Sequence, residues 1–143
     1  REQLPLDFRE GIFSQIIVRK LEYADYGCTV NREEIPIRFE RKSIEDCFGT
    51  LTKGHARFSR MLEKAREAHS EVILLLEGTL RDVASGIKHS SMDGNTIIKM
   101  IFTMWVKYGL VPVFCEDRRT AARTIEEVYT AVARGYSKKA VSS

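Results

Sequence analysis

The run Ile35-Pro36-Ile37-Arg38-Phe39-Glu40-Arg41-Lys42-Ser43-Ile44-Glu45-Asp46-Cys47 holds two structural periods back to back. From Ile37 to Lys42 apolar and charged residues alternate, the period of a strand. Ile37, Phe39 and Arg41 fall on one face; Arg38, Glu40 and Lys42 fall on the other. Ser43 with Asp46 three residues on has the form of a capping box, so a helix begins there with Ile44 and Cys47 on its buried side.

Working outward from this junction, the upstream chain reads as strand. Ile16-Ile17-Val18-Arg19-Lys20-Leu21 is rich in β-branched residues, and Thr29-Val30 continue a second strand after Tyr26 and Gly27. Asn31 to Glu34 is polar and turn-like. Downstream, Gly49 to Gly54 reads as a loop. A helix from Arg57 then sets Phe58, Met61, Leu62 and Ala65 on one face and Arg57, Arg60, Lys64 and Glu67 on the other. Val72-Ile73-Leu74-Leu75-Leu76, closed by Glu77-Gly78, is short and wholly apolar, as a strand covered on both faces would be. Residues 86–95 are loop-like. Ile97, Ile98, Ile101, Met104, Trp105 and Tyr108 form the apolar face of a helix that Gly109 ends. Val111-Pro112-Val113-Phe114-Cys115 is a strand whose proline marks a start or an edge. Ala121, Ala122, Ile125, Val128, Tyr129 and Val132 define a last helix, and Arg134 to Ser143 reads as a fraying basic tail. Three strands and then helix, strand, helix, strand, helix describe one α/β domain with a mixed sheet covered on both sides.

Composition bounds the function classes. The 143 residues are 43% hydrophobic and 30% charged, which suits a single soluble domain with its own core. No apolar run reaches the roughly 20 residues that span a bilayer, so no membrane partner is expected. The net charge of +3 permits a polyanionic partner without requiring one. Cys28, Cys47 and Cys115 are an odd number without CxxC spacing, so buried free thiols are expected rather than a disulfide framework or a cysteine zinc site. His55, His69 and His89 show no metal-ligand grouping.

Chemistry concentrates at Glu40 and Lys42. Two residues apart on a strand, they leave the same face, and a second carboxylate from the neighbouring strand, Asp25, would complete a magnesium site. Hard divalent ions take oxygen ligands, and Mg²⁺ is commonly held by one or two carboxylates plus water and substrate phosphate. The lysine can orient the attacking water and offset phosphate charge. By spacing alone, an ordinary Glu/Lys pair on a surface strand is the better reading, because such triplets are common by chance.

Resemblance adds to this. Asp25-Tyr26 followed by Phe39-Glu40-Arg41-Lys42-Ser43-Ile44-Glu45-Asp46 is similar to the GD…ERKxxxD signature of the XPF-type structure-specific endonucleases, of the restriction-endonuclease-like PD-(D/E)xK superfamily. Arg1-Glu2-Gln3 with Leu4-Pro5-Leu6 resembles the D-x-R-E-Q segment that opens these domains. Leu74-Leu75-Leu76-Glu77-Gly78 resembles their apolar strand ending in Glu-Gly, and Val111-Pro112-Val113-Phe114 their last strand. The resemblance spans essentially the whole chain. It implies a three-layer α/β/α restriction-endonuclease-like domain over residues 1–143 with a central mixed sheet. Two departures stand out. Ala24 replaces the family's glycine before the aspartate, and the aspartate expected ahead of Arg1-Glu2 would precede the first residue, as in an N-terminally trimmed chain. No helix-hairpin-helix module, often joined to such domains, is expected after Tyr136.

The resemblance implies a Mg²⁺-dependent DNA endonuclease, with Mn²⁺ as substitute, that cuts branched, flap or forked DNA in repair or recombination. In it Asp25 and Glu40 ligate the metal, and Arg41 adds mainly its backbone carbonyl. Lys42 sits against the attacking water and scissile phosphate, and Glu2 is an auxiliary carboxylate. Asp46, in the first turn of the next helix, and Glu77, at a strand end, are expected near the site. DNA contacts are expected from Thr50, Thr52, Lys53, His55, Arg57 and Arg60, a stretch almost free of acids. Arg118, Arg119 and Arg123 form a second basic group better read as a solvated face. Phe102, Met104 and Trp105 read as core or a dimer surface, so a homodimer or heterodimer is a further expectation. An inactive nuclease-fold scaffold that binds DNA is the competing function. A cytoplasmic or nucleoid location in a prokaryote or virus, or a nuclear one in a eukaryote, goes with either.

Overall fold

The computed structural model describes the backbone of residues 16–20, 25–30 and 33–142, and side chains over 26–29 and 33–135. The expected segments at Arg1–Leu6, and Ala24, lie outside the described residues. Strands β1 (Ile16–Lys20), β2 (Asp25–Val30), β4 (Ile37–Ser43), β5 (Glu71–Glu77) and β6 (Val111–Cys115) lie side by side in the order β1-β2-β4-β5-β6. A two-residue strand, β3 (Glu33–Glu34), pairs with β2 inside the stretch expected to be a turn. β1, β2 and β4 are antiparallel, whereas β4, β5 and β6 are parallel, so the sheet is mixed. Parallel neighbours need crossovers, and helices supply both of them.

Helices α1 (Ile44–Thr52), α2 (His55–Glu67), α3 (Leu80–Ala84) and α4 (Gly94–Tyr108) cover one face, and α5 (Arg118–Ser142) covers the other. The alternation of the strands divides the core accordingly. Leu74 and Leu76 of β5 pack with Phe48, Leu51, Leu62, Ile97 and Ile101. Leu75 faces the opposite way and packs with Phe39, Ile125 and Tyr129. This is the three-layer α/β/α arrangement, with β5 buried on both faces as its uninterrupted apolar run requires and Pro112 on an edge strand.

Tyr129 fastens α5 to the strands that carry the site. Its ring stands edge-on to Phe39, with centroids 5.2 Å apart at 89°. Its hydroxyl lies 2.9 Å from the Ile37 carbonyl of β4 and 3.2 Å from the Tyr26 carbonyl of β2, and donates its one proton between them. Burial raises the pKa of this phenol, so it stays protonated as a donor.

Several boundaries differ from the sequence reading. Gly49 to Gly54 is not a loop: α1 continues to Thr52 because Phe48 and Leu51 are buried on either side of the exposed Gly49, and only Lys53-Gly54 turn the chain. α3 lies where the sequence reading assigns nothing. Thr79 and Asp82 form its capping box, with the Asp82 amide donating to Thr79 Oγ1 (3.1 Å) and the Thr79 amide to Asp82 Oδ2 (2.8 Å). The segment after Arg134 is helical to Ser142 rather than a frayed tail. α4 ends as expected, at Gly109 in the left-handed region (φ 74°). Of the residues assigned to its apolar face, Ile97, Ile101 and Met104 are core, while Trp105 remains 49% exposed beside Phe102 and the 85% exposed Val106.

All three cysteines are free and buried. Burial pushes the Cys28 and Cys47 thiols up to about 12 and raises Cys115 as well, so none offers a thiolate nucleophile near neutral pH. Among the described residues no helix is long and apolar enough to cross a membrane.

Candidate metal and nucleic-acid site

β4 carries the site because its alternation sends Glu40 and Lys42 to the face of α1 and α2 while Phe39 anchors the opposite face. Glu40 is 5% exposed, an unusual place for a carboxylate. Its Oε1 accepts a hydrogen bond from Arg38 Nη2 at 3.1 Å, two residues back on the same face. A buried anion needs such a partner. The register sets Asp25 of β2 directly across from Glu40. By the two-residue alternation, position 25 belongs to the face of Glu40, since Tyr26 and Cys28 belong to the α5 side. Lys42 is half-buried at the end of β4, with Nζ 5.9 Å from the centroid of the Phe58 ring, within cation–π range.

Asp46 is exposed in the first turn of α1, its amide donating to Ser43 Oγ at 3.1 Å. It lies four residues beyond Lys42 in sequence, and its position suits the positive end of the helix. Arg41 and Glu77 are a different matter. Arg41 is 4% exposed on the α5 face and ion-paired there with Glu77. The parallel register aligns Ser43 with Glu77 and Arg41 with Leu75, so Glu77 shares the parity of Leu75 and Arg41. Glu77, expected near the site, is thus drawn to the far side of the sheet, where it neutralises the Arg41 guanidinium. Glu2 lies outside the described residues.

The basic stretch after the motif does not form one surface. Arg57 and Arg60 line a groove of about 450 Å³ together with Arg38 of β4 and Lys64. Thr52 and Lys53 line a separate hollow with Glu45, Asp46 and His89. Thr52 also spends its hydroxyl on the Phe48 carbonyl of its own helix (2.7 Å). Thr50 is half-buried and His55 exposed, and neither lines either concavity. Arg38 and Lys64 line this groove although the sequence reading does not group them with the basic stretch. Their signals were the i−2 position from Glu40 and the i+4 position from Arg60.

The donor set bears on the metal. Among the described residues no group of three or more His, Cys, Asp or Glu side chains is placed to hold an ion. What is present is a buried carboxylate with an aspartate opposite in register. Such a pair cannot cage an ion alone, but it matches the way Mg²⁺ is held when water and substrate phosphate oxygens supply the remaining ligands.

In comparison with known proteins, the family described as the ERCC4 domain matches residues 1–128. No curated protein matches the chain significantly.

Proposed function

Since the chain belongs to the ERCC4 domain family, the XPF-type nuclease domain whose members are in general structure-specific nucleases acting on DNA, we propose that it is a metal-dependent endonuclease for branched, flap or forked DNA in repair or recombination. One observation carries the reading: positions 25 and 40 are paired in register across β2 and β4, with Lys42 two residues beyond Glu40 on the same face. The reaction is hydrolysis of a phosphodiester. The water oxygen bonds to phosphorus, the bond to one sugar oxygen breaks, and the water's proton ends on the leaving oxygen.

Asp25 and Glu40 would hold Mg²⁺, or Mn²⁺ in its place, with the Arg41 backbone carbonyl as a further hard oxygen and Glu2 as an auxiliary carboxylate. The ion would supply charge to the pentacoordinate phosphate and acidity to bound water. Lys42, beside the Phe58 ring, would hydrogen-bond the attacking water and the phosphate oxygens, where a fixed cation favours the more negative transition state. Asp46 would orient Lys42 and water from the helix start. The Arg41–Glu77 pair would keep β4 and β5 in register beneath the site.

The experiment is cleavage of labelled duplex, single strand, 3′ flap and fork with Mg²⁺, Mn²⁺ or EDTA, with DNA binding followed in parallel. The expected result is cutting near the branch that requires the ion. Branched DNA bound but never cut, with either ion, would replace the enzyme by a DNA-binding scaffold of the same fold.

A further inference from the structure

Resting on the nuclease reading, we propose that the groove between α2 and β4 is the track for the phosphate backbone of one substrate strand, with Arg38 joining that track to Glu40. Four cations, Arg38, Arg57, Arg60 and Lys64, line this groove over a floor that includes Met61 and Ala65, and none of its lining residues is acidic. The acids of α2, Glu63 and Glu67, are exposed but do not line it. Arg57, Arg60 and Lys64 follow one another at i, i+3 and i+7. At 1.5 Å per residue they span about 10 Å. That is the axial length of about three nucleotides of one strand at 3.4 Å each.

Like charges three and four residues apart on a helix repel each other. A row of phosphates removes that repulsion and releases condensed counterions as it binds. An acidic peptide could satisfy the α2 cations as well. The groove's fourth cation selects between the two ligands, because Arg38 Nη2 is at the same time 3.1 Å from Glu40 Oε1. A strand lying in the groove is thereby delivered to the carboxylate pair, which a phosphodiester can use and a peptide cannot. The groove offers charge and no base-reading geometry, as suits a protein that recognises DNA by shape.

The test is anisotropy of labelled fork DNA with the metal-free protein in EDTA, over a range of salt concentrations. The triple variant Arg57→Ala, Arg60→Ala, Lys64→Ala changes only exposed side chains and is expected to fold, which its circular dichroism checks. It should lose affinity on the order of 10²-fold near 0.1 M salt, and its log–log salt slope should fall by about three. Arg38→Gln should lower the slope by about one. Arg119→Ala with Arg123→Ala on α5 should bind within about twofold of wild type. An unchanged slope in the triple variant, or an equal loss from the α5 variant, would overturn the groove. If the triple variant binds normally while Glu40→Gln still abolishes cleavage, the groove falls and the nuclease reading stands. If it binds weakly while wild type never cuts, the groove stands and the nuclease reading falls.

Discussion

Lys42→Ala should lower metal-dependent cleavage by about 10²- to 10⁴-fold, the range seen when a fixed transition-state cation or proton donor is removed, while leaving fork binding within a fewfold of wild type. Two features make the effect large. Lys42 shares the face of Glu40 at the end of β4, and its amine is within cation–π range of the Phe58 ring, 5.9 Å from the centroid. Lys42→Arg should recover little, because a broad, planar guanidinium cannot place one compact donor where the ammonium stood. Single-turnover cleavage at saturating protein separates this from a binding defect. Cleavage by Lys42→Ala within a few-fold of wild type would remove the lysine from the mechanism.

The second large effect is on stability. Gly94 opens α4 directly against the end of α3, and a Cβ there would stand 2.1 Å from the Val83 carbonyl oxygen and 2.5 Å from that of Ala84. Both obstacles are backbone, so the two helices must move apart. Gly94→Ala should therefore cost about 2–3 kcal/mol, or about 5–10 °C in Tm. Gly49 is the opposite case. It lies inside α1, is exposed, and a Cβ there meets nothing within 4 Å. Gly49→Ala should gain about 0.5–1 kcal/mol from helix propensity alone. Thermal unfolding of both variants checks the pair. Equal shifts would mean that the α3–α4 contact is not as close as described.

The Gly49 case also shows where sequence reading runs out. A glycine followed by Thr50, Thr52 and Gly54 carries every local mark of a loop, and burial of Phe48 and Leu51 overrides it. Where the local and tertiary signals agree, the reading holds. The alternation of Ile37–Lys42, the Ser43 cap, the apolar run of β5 and the Gly109 terminus all stand in the structure as the pattern indicates. Glu77 was illegible for a different reason. Which side of the sheet it joins depends on the parallel register between β4 and β5, and a one-residue slip would reverse it. The same holds for the basic stretch. Its division into a groove and a separate hollow follows from how α1 and α2 pack, which no spacing along the chain encodes. The opposition of Asp25 and Glu40 is likewise a fact of register: fifteen residues of separation are compatible with it but do not demand it.

The proposed metal site depends on that opposition. The most direct measurement is Mn²⁺-dependent cleavage of a forked duplex by wild type, Asp25→Asn and Glu40→Gln, with fork binding recorded in the same samples. Each substitution keeps the side chain's size and removes its charge. Both variants are expected to bind the fork and to lose cleavage by at least about 10²-fold, the loss typical of a missing transition-state contact. Undiminished cleavage in both would contradict the account.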